Sequence, residues 1–485
     1  MIAEFPFGPW LPDQNDYKNP GLEVCTNMLP SPDGYQPARG FGEEIADLGA
    51  AALSARVFER ADGTRVTVAA SATDLHTIIN GTVADSSLSL TLTAPVAFER
   101  FGQSIYATNK TGFWYLDDIE ADDTFAVVSG TVPAARTMAR VSDFLVMGDL
   151  TDIDTSDAPY RVRWSQFNNP QGDWTDDIGV QAGAVDMPEH LGRVMAITGG
   201  TAGLVFQRNG LSRLFYTGGG TVFGKQIVDE ARGCQSSRSV VQVGAVTYYL
   251  ADDGFAVSDG AGSQTISSGR VWRWFLANAG QAYIGSVEGA VDWQNRCVAW
   301  TVPDNSGVFT GLLFYCWENQ QWSYVELALD TLVATGQDGL SLEQVSALYP
   351  NLDTMPGSLD DAQFMPRQRF LGAFTGGSYA TLGGETLAAN FATGDFQPQP
   401  GFRVFARSVT PLIEVETGDM TVSLSGKATP SGGLSASPEV LLGPLGFAAF
   451  NFDARFARVR MTLPAGSSWS NAYGFQVDFS VTGQH

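Results

Sequence analysis

The sequence predicts an all-β protein, a β-propeller with a C-terminal β-sandwich and an extended N-terminal arm. Short alternating strands separated by turn residues recur along the 485-residue chain. The 54 glycines and 23 prolines, together with a charged fraction of only 16%, favour many tight turns. Because so long a chain exceeds one ordinary hydrophobic core, we expect several domains or one large repeat array.

The stretch 161–174 shows the plan on which these strands are built. Its first part alternates between the two faces of an extended chain, and residues 168–172 then break the strand with turn residues. Two tryptophans ten positions apart, across a polar turn, predict a hairpin that buries both rings in one small sheet. The structural motif that we assign here consists of Arg163, Trp164, Ser165, Asp173 and Trp174.

Strand–turn–strand units of the same kind recur downstream. They occupy residues 202–216, 245–260, 289–302 and 311–327. Their return roughly every 40 to 50 residues is the spacing of four-stranded propeller blades, which predicts a propeller over residues 49–396. An array of Greek-key sandwiches is the competing architecture.

The two ends of the chain differ from this repeated middle. Residues 1–48 are rich in Pro, Gly, Asn and Asp with isolated aromatic residues, which predicts a docking arm rather than a disordered tail. After a linker at 397–401, residues 402–485 alternate cleanly and predict a separate β-sandwich with a long flexible loop at 428–438. A short helix over 340–348 and a loop over 350–366 are expected between the strands.

Composition and charge narrow the classes of function. The formal net charge of −24 repels the nucleic acid backbone, so we expect no specific DNA binding. The four cysteines form no CxxC pair and predict buried free thiols. We find no signal-peptide pattern and no apolar run long enough to span a bilayer, which predicts a soluble protein made in a cytoplasm, without a membrane anchor.

Residues that would carry catalysis or bind a metal are sparse. Three scattered histidines, with no GxSxG elbow and no P-loop, predict isolated structural or surface histidines, no catalytic residue and no cofactor. The sharpest ligand-like cluster places Asp152, Asp154 and Ser156 at the first, third and fifth positions of a calcium loop. The match then fails, because Asp157 occupies the glycine position and Arg163 the position of the bidentate glutamate, so a solvated acidic loop is favoured.

Carboxylate pairs and aromatic residues offer no stronger site. The pairs are Asp122-Asp123, Asp176-Asp177, Asp252-Asp253 and Asp360-Asp361. Adjacent residues on a strand point in opposite directions, so these pairs are better explained as turn residues than as a glycosidase pair. The aromatic residues, 11% of the chain, are expected in blade cores rather than on a sugar-binding platform.

Several short motifs follow one another in a recognisable order. They lie at 10–13, 19–21, 101–102, 107–109, 133–136, 162–165, 173–174, 203–206, 252–255, 271, 274–275 and 469. Their order and spacing resemble those of the tail hub, or nozzle, proteins of short-tailed bacteriophages, also called packaged-DNA stabilisation proteins. The resemblance covers most of the chain.

The resemblance implies a structural virion protein of the phage tail, assembled in the host cytoplasm, and no enzyme. It implies a hexameric ring below the portal and adaptor that continues the DNA channel, helps to retain packaged DNA and guides its ejection. The implied partners are further copies of the chain, the adaptor and portal side of the tail, the fibres or spikes, and the terminal plug. We expect the arm and the C-terminal sandwich to build the ring contacts. The alternative is a soluble propeller enzyme or lectin acting on host surface glycans.

Overall fold

The computed structural model describes residues 1–218, 221–334, 371–417, 420–429 and 432–483. Strands dominate these ranges, with one α-helix and four 3₁₀ helices, so the all-β prediction is confirmed. The predicted helix at 340–348 and the predicted loop at 350–366 lie outside the described residues. No helix in the described ranges is both long and apolar enough to cross a membrane.

Five short strands precede the repeated part of the chain. They are β1 (Ile2–Pro6), β2 (Leu22–Thr26), β3 (Met28–Ser31), β4 (Gly34–Pro37) and β5 (Glu44–Asp47), with a 3₁₀ helix at Asp16–Lys18. Each of these strands pairs with a strand from a distant part of the chain or with a neighbour that does so.

Four antiparallel sheets of four strands then follow in chain order. Sheet 1 contains β6 (Ser54–Glu59), β7 (Arg65–Ala70), β8 (Leu75–Ile79) and β9 (Thr82–Asp85). Sheet 2 contains β10 (Ala97–Phe101), β11 (Ser104–Asn109), β12 (Gly112–Leu116) and β13 (Ala126–Val127). Sheet 3 contains β14 (Ala134–Val141), β15 (Phe144–Thr151), β16 (Ala158–Trp164) and β17 (Gly183–Asp186). Sheet 4 contains β18 (Val194–Ile197), β19 (Ala202–Gln207), β20 (Leu211–Tyr216) and β21 (Phe223–Asp229).

Three further sheets continue the series. Sheet 5 contains β22 (Val241–Val243), β23 (Val246–Leu250), β24 (Phe255–Ser258) and β25 (Ser263–Thr265). The helix α1 (Trp272–Asn278) precedes sheet 6, which contains β26 (Gly289–Asp292), β27 (Cys297–Pro303), β28 (Phe309–Cys316) and β29 (Gln321–Leu329). Sheet 7 contains β30 (Thr331–Ala334), β31 (Leu371–Thr375), β32 (Ser378–Thr381) and the N-terminal strand β5. The other 3₁₀ helices are Glu189–Leu191, Ser237–Ser239 and Gln281–Ser286.

Tight turns explain why these segments fold into hairpins. Strands β6 and β7 pair across a turn at Asp62-Gly63, where Gly63 has φ +91°. Glycine accepts this left-handed backbone at little cost, whereas a Cβ would strain it. The buried residues Val66 and Val68 then place β7 in the apolar cluster between sheets 1 and 2.

The first strands of the sheets lie side by side. Contacts join β6 to β10, β10 to β14, β14 to β18, β22 to β26, β26 to β30, and β30 of sheet 7 to β6 of sheet 1. The 3₁₀ helix Ser237–Ser239 links sheets 4 and 5 by contacting both β18 and β23. Apolar clusters fill the spaces between neighbouring sheets, so the core is divided among sheet interfaces.

The C-terminal strands form two larger sheets. They are β33 (Ala389–Thr393), β34 (Arg403–Thr417), β35 (Thr421–Lys427), β36 (Ser435–Ala436), β37 (Val440–Leu441), β38 (Ala448–Ala454), β39 (Phe456–Leu463) and β40 (Ser468–Gly483). The terminal sheet has the order β3-β4-β40-β34-β38, with β1 also paired to β40. Sheet 6 is extended beyond β29 by β2, β33, β39, β35 and β36, with β37 on β35.

Strand pairing crosses the predicted domain boundaries at residues 48 and 402. Strand β2 of the predicted arm pairs with β29 and β33, and β33 pairs with β39 of the predicted sandwich. Backbone hydrogen bonds therefore connect the predicted arm, propeller and sandwich. Such pairing across segments is possible because the edge strand of a sheet has free N–H and C=O groups that another strand can bond.

The prediction of four free thiols is wrong for two of the cysteines. Cys297 and Cys316 form a disulfide, because the antiparallel register of β27 and β28 places them directly opposite each other. Cys25 and Cys234 are free and buried. Burial raises the pKa of the Cys234 thiol to about 12, so it is unreactive near neutral pH.

Candidate functional site

The motif at 161–174 lies in sheet 3. Its two tryptophans do not lie on the two paired strands of a hairpin, as the sequence had predicted. Trp164 is the last residue of β16, which pairs with β15 on one side and β17 on the other. Trp174 lies in the connection between β16 and β17. The predicted hairpin between the two tryptophans is therefore wrong, because the next strand that pairs with β16 is β17, which begins after Trp174.

The two tryptophan rings are buried at different interfaces of sheet 3. Trp164 packs 5.1 Å from Phe223 of sheet 4, measured between ring centroids, and its Nε1 donates to the backbone oxygen of Gln181 at 2.9 Å. Trp174 packs 5.9 Å from Phe113 of sheet 2, and its Nε1 donates to the backbone oxygen of Pro170 at 2.9 Å. Each ring therefore anchors sheet 3 to one neighbour.

Arg163 is a buried cation that holds the loop carrying Trp174. Its Nε donates to Asp152 at 2.7 Å, and one terminal nitrogen donates to the backbone oxygen of Trp174 at 2.8 Å and to Asp176 at 2.6 Å. A buried guanidinium is stable only when its charge and its donors are matched. The motif thus fixes a loop onto a strand.

The remaining motif residues make positioning bonds of the same kind. The Ser165 hydroxyl accepts a bond of 3.1 Å from the backbone N–H of Leu145. The Asp173 carboxylate accepts one of 3.0 Å from the backbone N–H of Thr131, in the connection from sheet 2. These contacts give all five motif residues a role in the fold.

Two of the three calcium candidates, Asp152 and Asp154, meet at the guanidinium group of Arg161. Asp152 is bound by Arg163 and also by Arg161 at 3.1 Å, while Asp154 accepts from Arg161 at 3.0 Å. Carboxylate oxygens that accept from guanidinium groups have few lone pairs left for a cation. Within the part of the chain that the structure describes, no group of three or more His, Cys, Asp or Glu side chains could hold a metal ion.

A cavity of about 610 Å³ lies where the first strands of all seven sheets approach one another. One lining residue from each sheet, in order, is Ala55, Ala97, Met138, Ile197, Val241, Ala290 and Leu332. A second cavity of about 640 Å³ shares the side chains Arg238 and Glu288 with the first. This ion pair therefore lies between the two cavities.

The Arg238–Glu288 pair connects four sheets. Arg238 forms an ion pair with Glu288, and donates to the backbone oxygen of Leu53 at 2.9 Å and to the Thr331 hydroxyl at 2.7 Å. Glu288 also accepts a bond of 3.1 Å from the backbone N–H of Leu332. Burial raises the pKa of Glu288 and lowers that of Arg238, and each charge partly offsets the shift of the other.

A second buried carboxylate, Asp149, is surrounded by cations from three sheets. Lys110 Nζ lies 3.0 Å and an Arg193 terminal nitrogen 2.9 Å from its oxygens, and Arg136 completes the cluster. Asp149 has φ +56° at a bulge in β15, which turns its side chain toward these partners. The cluster joins sheets 2, 3 and 4 by charge.

Ser71, His76 and Asp85 form a hydrogen-bonded chain in sheet 1. The Ser71 hydroxyl lies 2.9 Å from His76 Nε2, and His76 Nδ1 lies 2.6 Å from an Asp85 carboxylate oxygen. This order of hydroxyl, imidazole and carboxylate is the order of a serine-hydrolase triad. The chemistry that it could supply is activation of the hydroxyl by the imidazole.

The surroundings of Ser71 favour a structural role for this chain. Ser71 is only 1% exposed, and its hydroxyl oxygen accepts from the backbone N–H of Asp74 at 3.1 Å. Residues 86–92 cover the turn through backbone bonds, including Leu90 N–H to Thr73 and Leu92 N–H to Ala72. In this conformation the Ser71 hydroxyl is therefore closed to a substrate.

Sequence reasoning missed both the Ser71 chain and the Arg238–Glu288 pair. His76 was predicted to be isolated, yet hairpin pairing places it opposite Asp85 in the register of β8 and β9. That pairing is local, so the alternation of β8 and β9 offered a signal. The partners of Arg238 come from residues far along the chain and left no local signal.

Comparisons with known proteins give no family assignment. No family model matches the chain, and no curated protein does. Among solved structures, the extracellular domain of a hybrid two-component system from B. thetaiotaomicron is similar over 85% of this chain, with 10% identity and a TM-score of 0.40. The chain spans 48% of that structure, and a similarity at this level supports no conclusion about function.

Proposed function

We propose that the seven sheets form a seven-bladed β-propeller and that the chain is a tail hub, or nozzle, subunit of a short-tailed bacteriophage. In this proposal six copies form a ring below the portal and adaptor, and the ring continues the DNA channel without binding DNA specifically. The ring helps to retain packaged DNA and guides its ejection. Its other partners are the fibres or spikes and the terminal plug, and the protein resides in the virion.

The propeller is supported by the seven first strands around one cavity. Further support comes from sheet 7, whose outer strand β5 precedes sheet 1 in the chain and pairs with β32. A blade that combines strands from both ends of the repeated region would join the last blade of a propeller to the first. Contacts between β30 and β6 bring sheets 7 and 1 together.

The order of short motifs along the chain carries the assignment to a phage tail. Several residues of these motifs make contacts that stabilise the fold. This agrees with a family whose members share a fold and have no active site. Trp10 packs 4.9 Å from Trp274, and Asp13 accepts from the backbone of the helix α1. Trp174 is fully buried at a sheet interface.

Imaging of the particle that contains this chain tests the proposal. We expect a six-fold ring of the chain between the adaptor and the tip of a short tail, and loss of packaged DNA from particles that lack it. Absence of the chain from purified wild-type particles, or a tail in which the chain occupies a fibre position, would refute the assignment. Mass measurement in solution adds a second test, because a ring has close to six times 51.9 kDa.

The second candidate is a soluble propeller enzyme or lectin acting on host surface glycans. The hydrogen-bonded chain of Ser71, His76 and Asp85 is the observation that favours an enzyme. Burial of the Ser71 hydroxyl opposes it, since the nucleophile must reach the substrate. A stable monomer that binds a glycan array would favour this candidate.

A further inference from the structure

We propose that successive copies of this chain join edge to edge, with β1 of one copy pairing with β38 of the next. This inference rests on the proposed ring and names the surfaces that the copies use. Across the terminal sheet the strands run β1, β40, β34 and β38, so β1 and β38 lie at opposite edges. Among the described residues, neither strand has a hydrogen-bonded neighbour on its outer side.

The outer edge of β1 presents free backbone groups. Residues 1 and 7 bond to β40 through Phe479 N–H to Met1 and Phe7 N–H to Tyr473. In an antiparallel pair the inward bonds alternate, so Ile2 and Glu4 direct their N–H and C=O groups away from β40, while Pro6 has only its C=O on that side. Ile2 is 71% exposed, although it is a large apolar residue.

The edge at β38 is also free, and it lacks the proline that β1 contains at Pro6. Its sequence, Ala-Ala-Phe-Asn-Phe-Asp-Ala, contains neither the lysine nor the proline that commonly protects an edge strand. The segment before it exposes large apolar side chains, which are Leu441, Leu445 and Phe447, with Leu445 80% exposed. A free edge beside exposed leucines is suited to receive a strand from another chain.

Charge makes these two edges a place where a second copy can approach. The chain carries −24, so most faces of two copies repel each other. Residues 402–485 hold six acidic and six basic side chains, and 6 − 6 = 0, so residues 1–401 carry the whole excess. The one charged side chain of β38 is Asp453, which forms an ion pair with Arg403, and the one charged side chain in residues 1–12 is Glu4. The two edges therefore approach with little repulsion.

The position of the two edges determines the kind of assembly. Because β1 and β38 are different surfaces, the contact is heterologous, and its repetition builds a ring if the rotation closes. Backbone pairing would extend the terminal sheet from copy to copy. The exposed leucines before β38 would pack against the apolar face next to Ile2.

Cross-linking of the full chain tests this contact. Glu4→Cys and Asn451→Cys each place a thiol on one edge, and a short bismaleimide joins them over a range of strand registers. We expect the double variant to give a ladder of covalent oligomers ending at six. A mixture of the two single variants should stop at dimers. Wild-type protein, whose free cysteines are buried, should give no cross-link.

A matched control places the second thiol elsewhere. In the pair Glu4→Cys and Ile178→Cys, the second residue is also exposed but belongs to the β16–β17 connection of sheet 3, and we expect no ladder. The reaction is run in solution at rising protein concentration, and in purified particles where imaging finds the ring. No ladder in either setting, or an equal ladder from the control pair, overturns the inference. A ladder from a protein that imaging does not find in particles refutes the phage assignment and leaves the edge contact intact.

Discussion

The carboxylate of Asp13 accepts a hydrogen bond of 2.8 Å from the backbone N–H of Trp274, which lies 261 positions further along the chain. The same carboxylate accepts one of 2.9 Å from the N–H of Arg273. Both N–H groups belong to the first turn of α1, where the N-cap residue Val271 has no side-chain oxygen. The N-terminal segment thus supplies the cap that the helix lacks.

Replacing Asp13 with Ala should lower the free energy of unfolding by about 1 kcal/mol, the usual cost of a lost N-terminal cap. Asp13→Asn is the matched control, because its single amide oxygen keeps one of the two hydrogen bonds, so it should lose less stability than the Ala variant. Urea unfolding of the purified variants measures both changes. Equal stability of the Ala variant and the wild type would show that the cap contributes nothing.

Trp164→Ala and Trp174→Ala should each cost roughly 3 to 5 kcal/mol, because each removes a large buried ring from a sheet interface. Phe167→Ala is the control, since this ring is half exposed and its loss should cost far less. Thermal melting compares the three variants. Unchanged melting of the Trp variants together with lost assembly would make them interface residues instead.

Arg163→Met should destabilise the protein by roughly 3 to 5 kcal/mol, because it leaves the buried carboxylate of Asp152 with fewer partners. Arg161→Met, two residues away on the same strand, is the comparison. Arg161 gives Asp152 one bond of 3.1 Å, whereas Arg163 gives it two. The other partners of Arg161, Asp154 and Asp186, are exposed, so its loss should cost less than the loss of Arg163. Denaturant unfolding at pH 7 measures the difference, and equal costs would contradict the assignment of Arg163 as the buried anchor.

Glu288→Gln should change the dependence of stability on pH. Burial raises the pKa of Glu288 in the folded protein above its ordinary value of 4.5. The folded state then binds more protons than the unfolded state, so this carboxyl group stabilises the fold most below 4.5 and loses that contribution as pH rises through the folded pKa. The stability of the wild type minus that of the variant should therefore fall from pH 4 toward neutrality. A constant difference across this range would show that the pKa is not raised.

Ser71 should not react with a fluorophosphonate probe in the native protein. The Ser71 side chain is buried, so an electrophile cannot approach its hydroxyl. Intact-mass analysis after incubation measures labelling, with Ser71→Ala as the control. Labelling that disappears in the Ala variant would instead support the enzyme candidate.

The strand-rich character could be predicted because its causes are local. Alternation places Val66 and Val68 on a buried strand, and the Asp62-Gly63 turn closes the hairpin that the sequence indicates. Such features depend on neighbours within a few residues. The burial of Trp164 and Trp174 followed from their size and apolar character in the same way.

The partners of these residues could not be predicted in the same way. The two tryptophans were expected in one small sheet, but they pack against different neighbouring sheets. The opposing Cys297 and Cys316 depend on the register of two strands, which single-sequence patterns leave open. The hydrogen-bonded chain of Ser71, His76 and Asp85 likewise depends on the pairing of β8 with β9, which places His76 opposite Asp85.

By itself the sequence determined the class of the fold, the many turns, the acidic charge and the near-neutral C-terminal segment. Only the tertiary structure decided that residues 1–48 are distributed over three sheets, that β5 completes sheet 7, and that β1 and β38 stand at opposite edges of one sheet. The physical reason is that alternation and turn chemistry act over a few residues. Strand partners, by contrast, are chosen by backbone groups and apolar faces that meet only after the chain has folded.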